Sequence, residues 1–172
     1  MEICGRKISV VSGRLKVQPT EVIQTLLSVD SKYGTVSQAF DADRIAGKNH
    51  LLHGVALCLL SEERGERFAK DSRLNLLCWV AAERQIEVAI KKVGVSSTTK
   101  NLAIVIMGRD ENLITSAVEE TRKLLVDRDE TVLHVSDEKA RRIMKVFSLP
   151  PIAEKEIEKF VLEKIALLEL AK

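Results

Sequence analysis

The stretch from Ile157 to Ala171 constrains this chain most, because at helical spacing it is apolar on two sides. Ile157, Phe160, Val161, Ile165 and Leu168 fall on one face and predict a seat in the core. Leu162, Ala166 and Leu170 repeat at i, i+4 and i+8 on roughly the opposite side, where a surface helix presents polar groups to water. A helix apolar on two sides must be covered twice. Either another element of the same chain or a second polypeptide supplies the second cover. Burying a leucine is worth about 1.5–3 kcal/mol, so two left in water forfeit a substantial stabilisation. Leu162, Ala166 and Leu170 are therefore the candidate partner-binding residues.

The rest of the chain must supply the core. Its 172 residues, 45% hydrophobic and 30% charged, can bury roughly two thirds of their unfolded surface, enough for one soluble domain, residues 1–172, without disulfide or metal. Cys4, Cys58 and Cys78 show no CxxC spacing, and two of them lie in apolar helical stretches where a reduced thiol behaves as a small hydrophobe. A reducing, cytoplasmic setting is expected. The longest uncharged apolar run, Leu51 to Ser61, is interrupted by His53 and is too short to cross a bilayer, so no membrane or targeting segment is expected.

Strands are predicted over Glu2–Val11, Thr35–Asp41, Leu102–Met107 and Val132–Val135, from β-branched or alternating residues bounded by turn formers. Helical patterns cover Glu21–Val29 with Thr20 as cap, Lys48–Glu63, Ser72–Val93, Asn112–Leu125, Asp137–Phe147 and Ile157–Ala171. The helices are not evenly interleaved with the strands. That order predicts an α+β fold, a small mixed β-sheet packed with several α-helices on one face in a single two-layer domain.

The formal charge of +2 conceals an uneven distribution. Lys and Arg number 8 against 3 acids over residues 67–109, and 3 against 9 over residues 110–138. A whole-molecule polyanion sponge is excluded, while a local basic surface in the first of these stretches suits nucleic acid at one place or a solvated face.

Two motifs give that surface candidate residues. FDADRIAGKNHLLHG, residues 40–54, reads as a strand end, an acidic turn and a glycine-lysine step into a helix whose first N–H groups favour an anion. Gly47 permits close backbone approach, Lys48 adds a mobile charge, and His50 or Asn49 can donate to a phosphate or ribose. The pattern is not a P-loop, so an anion would be bound there rather than cleaved; a helix start capped by Asp43 or Asn49 is the plain reading. ERQIEVAIKKVG, residues 83–94, is a basic amphipathic helix with Ile86, Ala89, Ile90 and Val93 on one side and Arg84, Lys91 and Lys92 on the other, Gln85 flanking. Three cations on one face can track a phosphate backbone or simply meet water. The six aromatic residues are scattered, so no broad base-stacking platform is expected.

Other chemistry finds little support. His50 and His53 form HxxH, but a third metal ligand is missing, and no metal or cofactor is expected. Asp41 and Asp43 at a strand end could form an acid-base pair, yet no nucleophile accompanies them, and capping explains them as well.

Taken in order, FDAD with IAG-(x2)-HLL, then RQIEVAIKKVG, then an apolar strand and the ending VLEKIALLEL resemble the kinase-binding regulatory subunits of the KEOPS complex, archaeal type, relatives of the PRPK-binding protein. The likeness runs from about Val36 to Leu170; the N-terminal strand matches loosely. It implies a non-catalytic α+β subunit that docks on the Bud-type atypical kinase and stimulates its ATPase activity. It also implies binding of tRNA, including the 3' CCA end, during threonylcarbamoyladenosine modification of ANN-decoding tRNAs. By the same likeness Gly47, His50, Arg84 and Gln85 are expected nucleic-acid-binding residues, joined by Lys48 and Lys91 from the two basic patterns above, and the ending from Lys164 to Leu170, Ile165 included, faces the kinase. Weak self-association through the same stripe is a further expectation. A small-anion enzyme near Asp41, Asp43 and His50, and a purely structural interaction module, are the alternatives.

Overall fold

The computed structural model describes residues 1–171. Its sheet has four strands, β1 (Glu2–Ile3), β2 (Arg6–Arg14), β3 (Val36–Asp41) and β4 (Asn101–Gly108), in the order β1-β2-β4-β3, and every pairing is antiparallel. Seven α-helices surround it: α1 (Pro19–Tyr33), α2 (Lys48–Arg64), α3 (Ser72–Ala81), α4 (Ile86–Val93), α5 (Glu111–Thr121), α6 (Asp137–Val146) and α7 (Ile157–Leu170). The sheet is thus antiparallel throughout and not mixed, while the α+β class is as expected.

The two-layer arrangement is not. β4 lies in the middle of the sheet, and its alternate residues enter two cores. Leu102, Ile104 and Ile106 meet α1 and α5 on one face, with Val22, Leu26, Ile114 and Ala117. Ala103, Val105 and Met107 join the larger core on the other face, where Phe40, Leu76, Trp79, Phe147 and Ile157 are buried. Helices therefore cover both faces, in three layers. A strand sheltered on both sides needs apolar residues at every position, and β4 has them from Leu102 to Met107.

Local chemistry moves three predicted boundaries. α1 begins at Pro19, whose fixed φ suits a first helical position, after an extended Gln18, so Thr20 lies inside the helix and does not cap it. The continuous helix predicted over Ser72–Val93 breaks at Ala82, which takes a left-handed φ of 52° and ends α3. The break turns α4 back onto the core, so that Ala89 and Val93 become fully buried, and the Lys92–Glu83 ion pair at 2.9 Å closes the corner. Residues 132–135 are not a strand. Asp129 accepts from the Thr131 N–H at 2.8 Å and hydroxyl at 2.6 Å, winding Glu130–Leu133 into a 3-10 turn that inserts Leu133 into the core.

Candidate partner and anion surfaces

α7 lies against α2 and α3 with Ile157, Val161 and Ile165 fully buried. Ile165 is thus a core residue, and its place in the expected partner-binding set is corrected: its side chain is already covered by its own chain. The opposite stripe remains open. Leu162 is half-buried, Ala166 is exposed, and Leu170 is 81% exposed. Leu167, which the i, i+4, i+8 count passes over, is 62% exposed and completes the patch one turn before Leu170. Two arginines from other elements hold this end of α7. Arg64, in the last turn of α2, pairs with Glu169 at 2.9 Å, and Arg84 donates to the Ala171 carbonyl.

The IAGKNH segment folds as the predicted turn into α2, but its contacts differ from those expected. Gly47 adopts a φ of 119°, which side-chain-bearing residues rarely adopt. The Glu158 carboxylate packs against it, and Asn49 Nδ2 donates to Glu158 Oε2 at 3.5 Å. An internal anion therefore already stands beside this helix start. Lys48 and Asn49 are exposed.

His50 is fully buried. Its Nδ1 accepts the Ala46 N–H at 3.0 Å, its Nε2 donates to the Val80 carbonyl at 2.8 Å, and the ring packs edge-on against Phe147. Burial drives its pKa down to about 4, so the imidazole is neutral near pH 7. With both nitrogens engaged, His50 pins the turn before α2 to α3 and offers nothing to RNA. Its assignment to the nucleic-acid surface is corrected accordingly.

The basic helix α4 is divided between two neighbourhoods. At its C-terminal end Arg44 donates to the Lys91 and Lys92 carbonyls, which brings exposed Lys91 beside the segment leading to Gly47. Lys92 is drawn inward, its ammonium 4.7 Å from the Phe147 ring centroid. At the other end Arg84 and Gln85 are exposed beside the end of α7. The contacts of Gly47 and Arg84 on α7 are separated by about 20 Å of helix, so these two expected RNA residues do not lie side by side.

Asp41 and Asp43 do not form an acid-base pair. Asp41 is buried, accepts from the Asp43 N–H at 3.1 Å and the Thr99 hydroxyl at 3.3 Å, and burial pushes its carboxyl above the usual range. Asp43 instead accepts from Asn101 at 2.9 Å and Arg142 at 3.1 Å. Cys58 and Cys78 are buried, with burial raising the pKa of both thiols, Cys78 to about 11. Among the described residues no group of three or more His, Cys, Asp or Glu side chains is placed to hold a metal, and no helix is long and apolar enough to cross a membrane.

The fold thus presents an uncovered apolar helix end, flanked by arginines that fix it to the body of the molecule: the surface of a binding protein. The comparison with protein families agrees with that class. The family model for kinase binding protein CGI-121 matches residues 16–169, and the chain belongs to that family of kinase-binding proteins. Among individually curated proteins, none matches it.

Proposed function

We propose that this chain is the non-catalytic, kinase-binding regulatory subunit of a KEOPS complex of archaeal type, acting in the cytoplasm. The observation that carries the reading is the open apolar end of α7 in a chain of the CGI-121 family. Leu162, Ala166, Leu167 and Leu170 form the face offered to the Bud-type atypical kinase, and docking there stimulates the kinase's ATPase activity. A helix laying its apolar side against a partner buries these leucines without disturbing the core face of the same helix.

The second task is to hold tRNA, including its 3' CCA end, for threonylcarbamoyladenosine modification of ANN-decoding tRNAs. Exposed Lys48, Lys91, Arg84 and Gln85 support this reading. Gly47 shapes the turn that presents Lys48. Because Glu158 stands at the start of α2, phosphate contact in this region runs through Lys48 rather than the helix N–H groups.

The test is reconstitution with the kinase. The purified chain should form a complex with it, raise its ATP turnover, and retard tRNA in a gel shift that weakens when the CCA end is removed. No complex with the kinase, or RNA retardation indifferent to the 3' end, contradicts the corresponding part of the proposal.

A further inference from the structure

Between the Asp41–Arg44 turn, the loop leading into β4 and the start of α6 lies an open recess of about 950 Å³. Lys139 is on its wall and is 6% exposed. Its Nζ donates to the Val132 carbonyl at 2.8 Å, and among the described residues no carboxylate lies within ion-pair distance of it. An ammonium withdrawn from water without a counter-ion is costly, and one carbonyl offsets little of that cost.

The carboxylates across the recess are already engaged. Asp41 faces Arg44 at 3.6 Å, and Arg142 pairs with Asp43 at 3.1 Å and Glu138 at 3.4 Å. Asp43 and Asp41 draw the Lys139 pKa upward, but burial prevails and leaves it at about 8, below the ordinary lysine value. Lys100, exposed on the rim, has no ion pair among the described residues. Among the described residues the recess therefore holds two lysines on different elements that have no carboxylate partner, Lys139 bonded to one carbonyl alone. The Thr98 and Ser136 hydroxyls line the same space, Ser136 also capping α6 by accepting the Lys139 N–H.

We propose that this recess is a phosphate-binding site, with Lys139 on its wall and Lys100 at its rim. A phosphate monoester or inorganic phosphate carries between one and two negative charges near neutral pH, more than a monocarboxylate offers two ammonium groups, and its oxygens can take the surrounding hydroxyl donors. A monocarboxylate would leave one ammonium uncompensated. The site uses none of the residues assigned above to the kinase face or to RNA.

The test is an NMR titration of the whole chain with inorganic phosphate at constant ionic strength, on wild type, Lys139→Met and Lys100→Met. Wild type should show saturable amide shifts at Lys100 and Ser136–Lys139, and each variant should bind about tenfold more weakly, the loss expected for one charge-assisted hydrogen bond. Lys100→Met removes an exposed charge and should leave the melting temperature unchanged, so the test stands even if Lys139→Met disturbs folding. Absence of saturable shifts in wild type, or equal affinity in Lys100→Met, overturns the proposal. Adding tRNA to the saturated protein then identifies the source. Release of phosphate assigns the site to RNA phosphates, and retention assigns it to a small phosphate compound; both support the site.

Discussion

Glu158 is packed so closely on Gly47 that a Cβ added at residue 47 would stand 2.7 Å from Glu158 Oε1. The first turn of α7 thus locks the entry to α2, and the helix start meets a carboxylate of its own chain.

Replacing this glycine tests that lock. Gly47→Ala places a side chain at a φ of 119° and pushes it into Glu158. The carboxylate can swing away, but the backbone strain remains, and the variant should lose about 1–3 kcal/mol in chemical denaturation. Glu158→Ala in the Gly47→Ala background should recover only a small part of that loss. Full recovery would show that side-chain collision, and not backbone conformation, requires glycine here.

His50 makes the fold sensitive to acid. The folded chain holds it neutral down to a pKa of about 4, against an ordinary value of 6.5, so between those values the unfolded chain binds the additional proton. Its contribution to stability is complete above pH 6.5, falls as the pH drops toward 4, and amounts to about 3 kcal/mol over the window. Denaturation midpoints measured from pH 7 to pH 4 should fall more steeply for wild type than for His50→Gln. Parallel curves would contradict the neutral, buried assignment.

The two ends of the proposed RNA surface should respond differently. Lys48→Ala and Lys91→Ala should weaken tRNA binding and lower its salt slope by about one for each phosphate that is no longer neutralised, leaving kinase affinity unchanged. Arg84→Ala should affect both partners, since Arg84 is exposed on the proposed RNA surface and also donates to the end of α7. An Arg84→Ala variant that moves tRNA affinity alone would show that its bond to α7 does not order the kinase face.

Much of this architecture is legible where one residue type permits one environment. The unbroken apolar run of β4 marks a strand buried on both faces, although unequal spacing of helices and strands suggests a two-layer fold. The two-sided pattern of α7 separates Ile165, within the core, from Leu170 in water, but an i, i+4 count misses Leu167. The bend at Ala82 has no local signal, because alanine favours helix and its left-handed turn follows from seating α4 on the core. His50 and Glu158 are the plainest cases of tertiary override. A histidine after a glycine-lysine step reads as an anion ligand until Val80 and Ala46 take both of its nitrogens, and nothing near Gly47 in sequence announces a carboxylate from more than a hundred residues away.

Docking through the open end of α7 is tested most directly by a charged substitution on each leucine, with binding and stability measured on the same preparations. Leu167→Glu and Leu170→Glu should each weaken kinase binding by at least about a hundredfold, as expected for an anchor buried at an interface, while thermal unfolding stays at the wild-type temperature. Ile165→Ala is the control: it empties a fully buried site and should cost about 2–5 kcal/mol of stability. Wild-type kinase affinity in both glutamate variants, or binding that declines only in step with melting temperature, would contradict docking through this face.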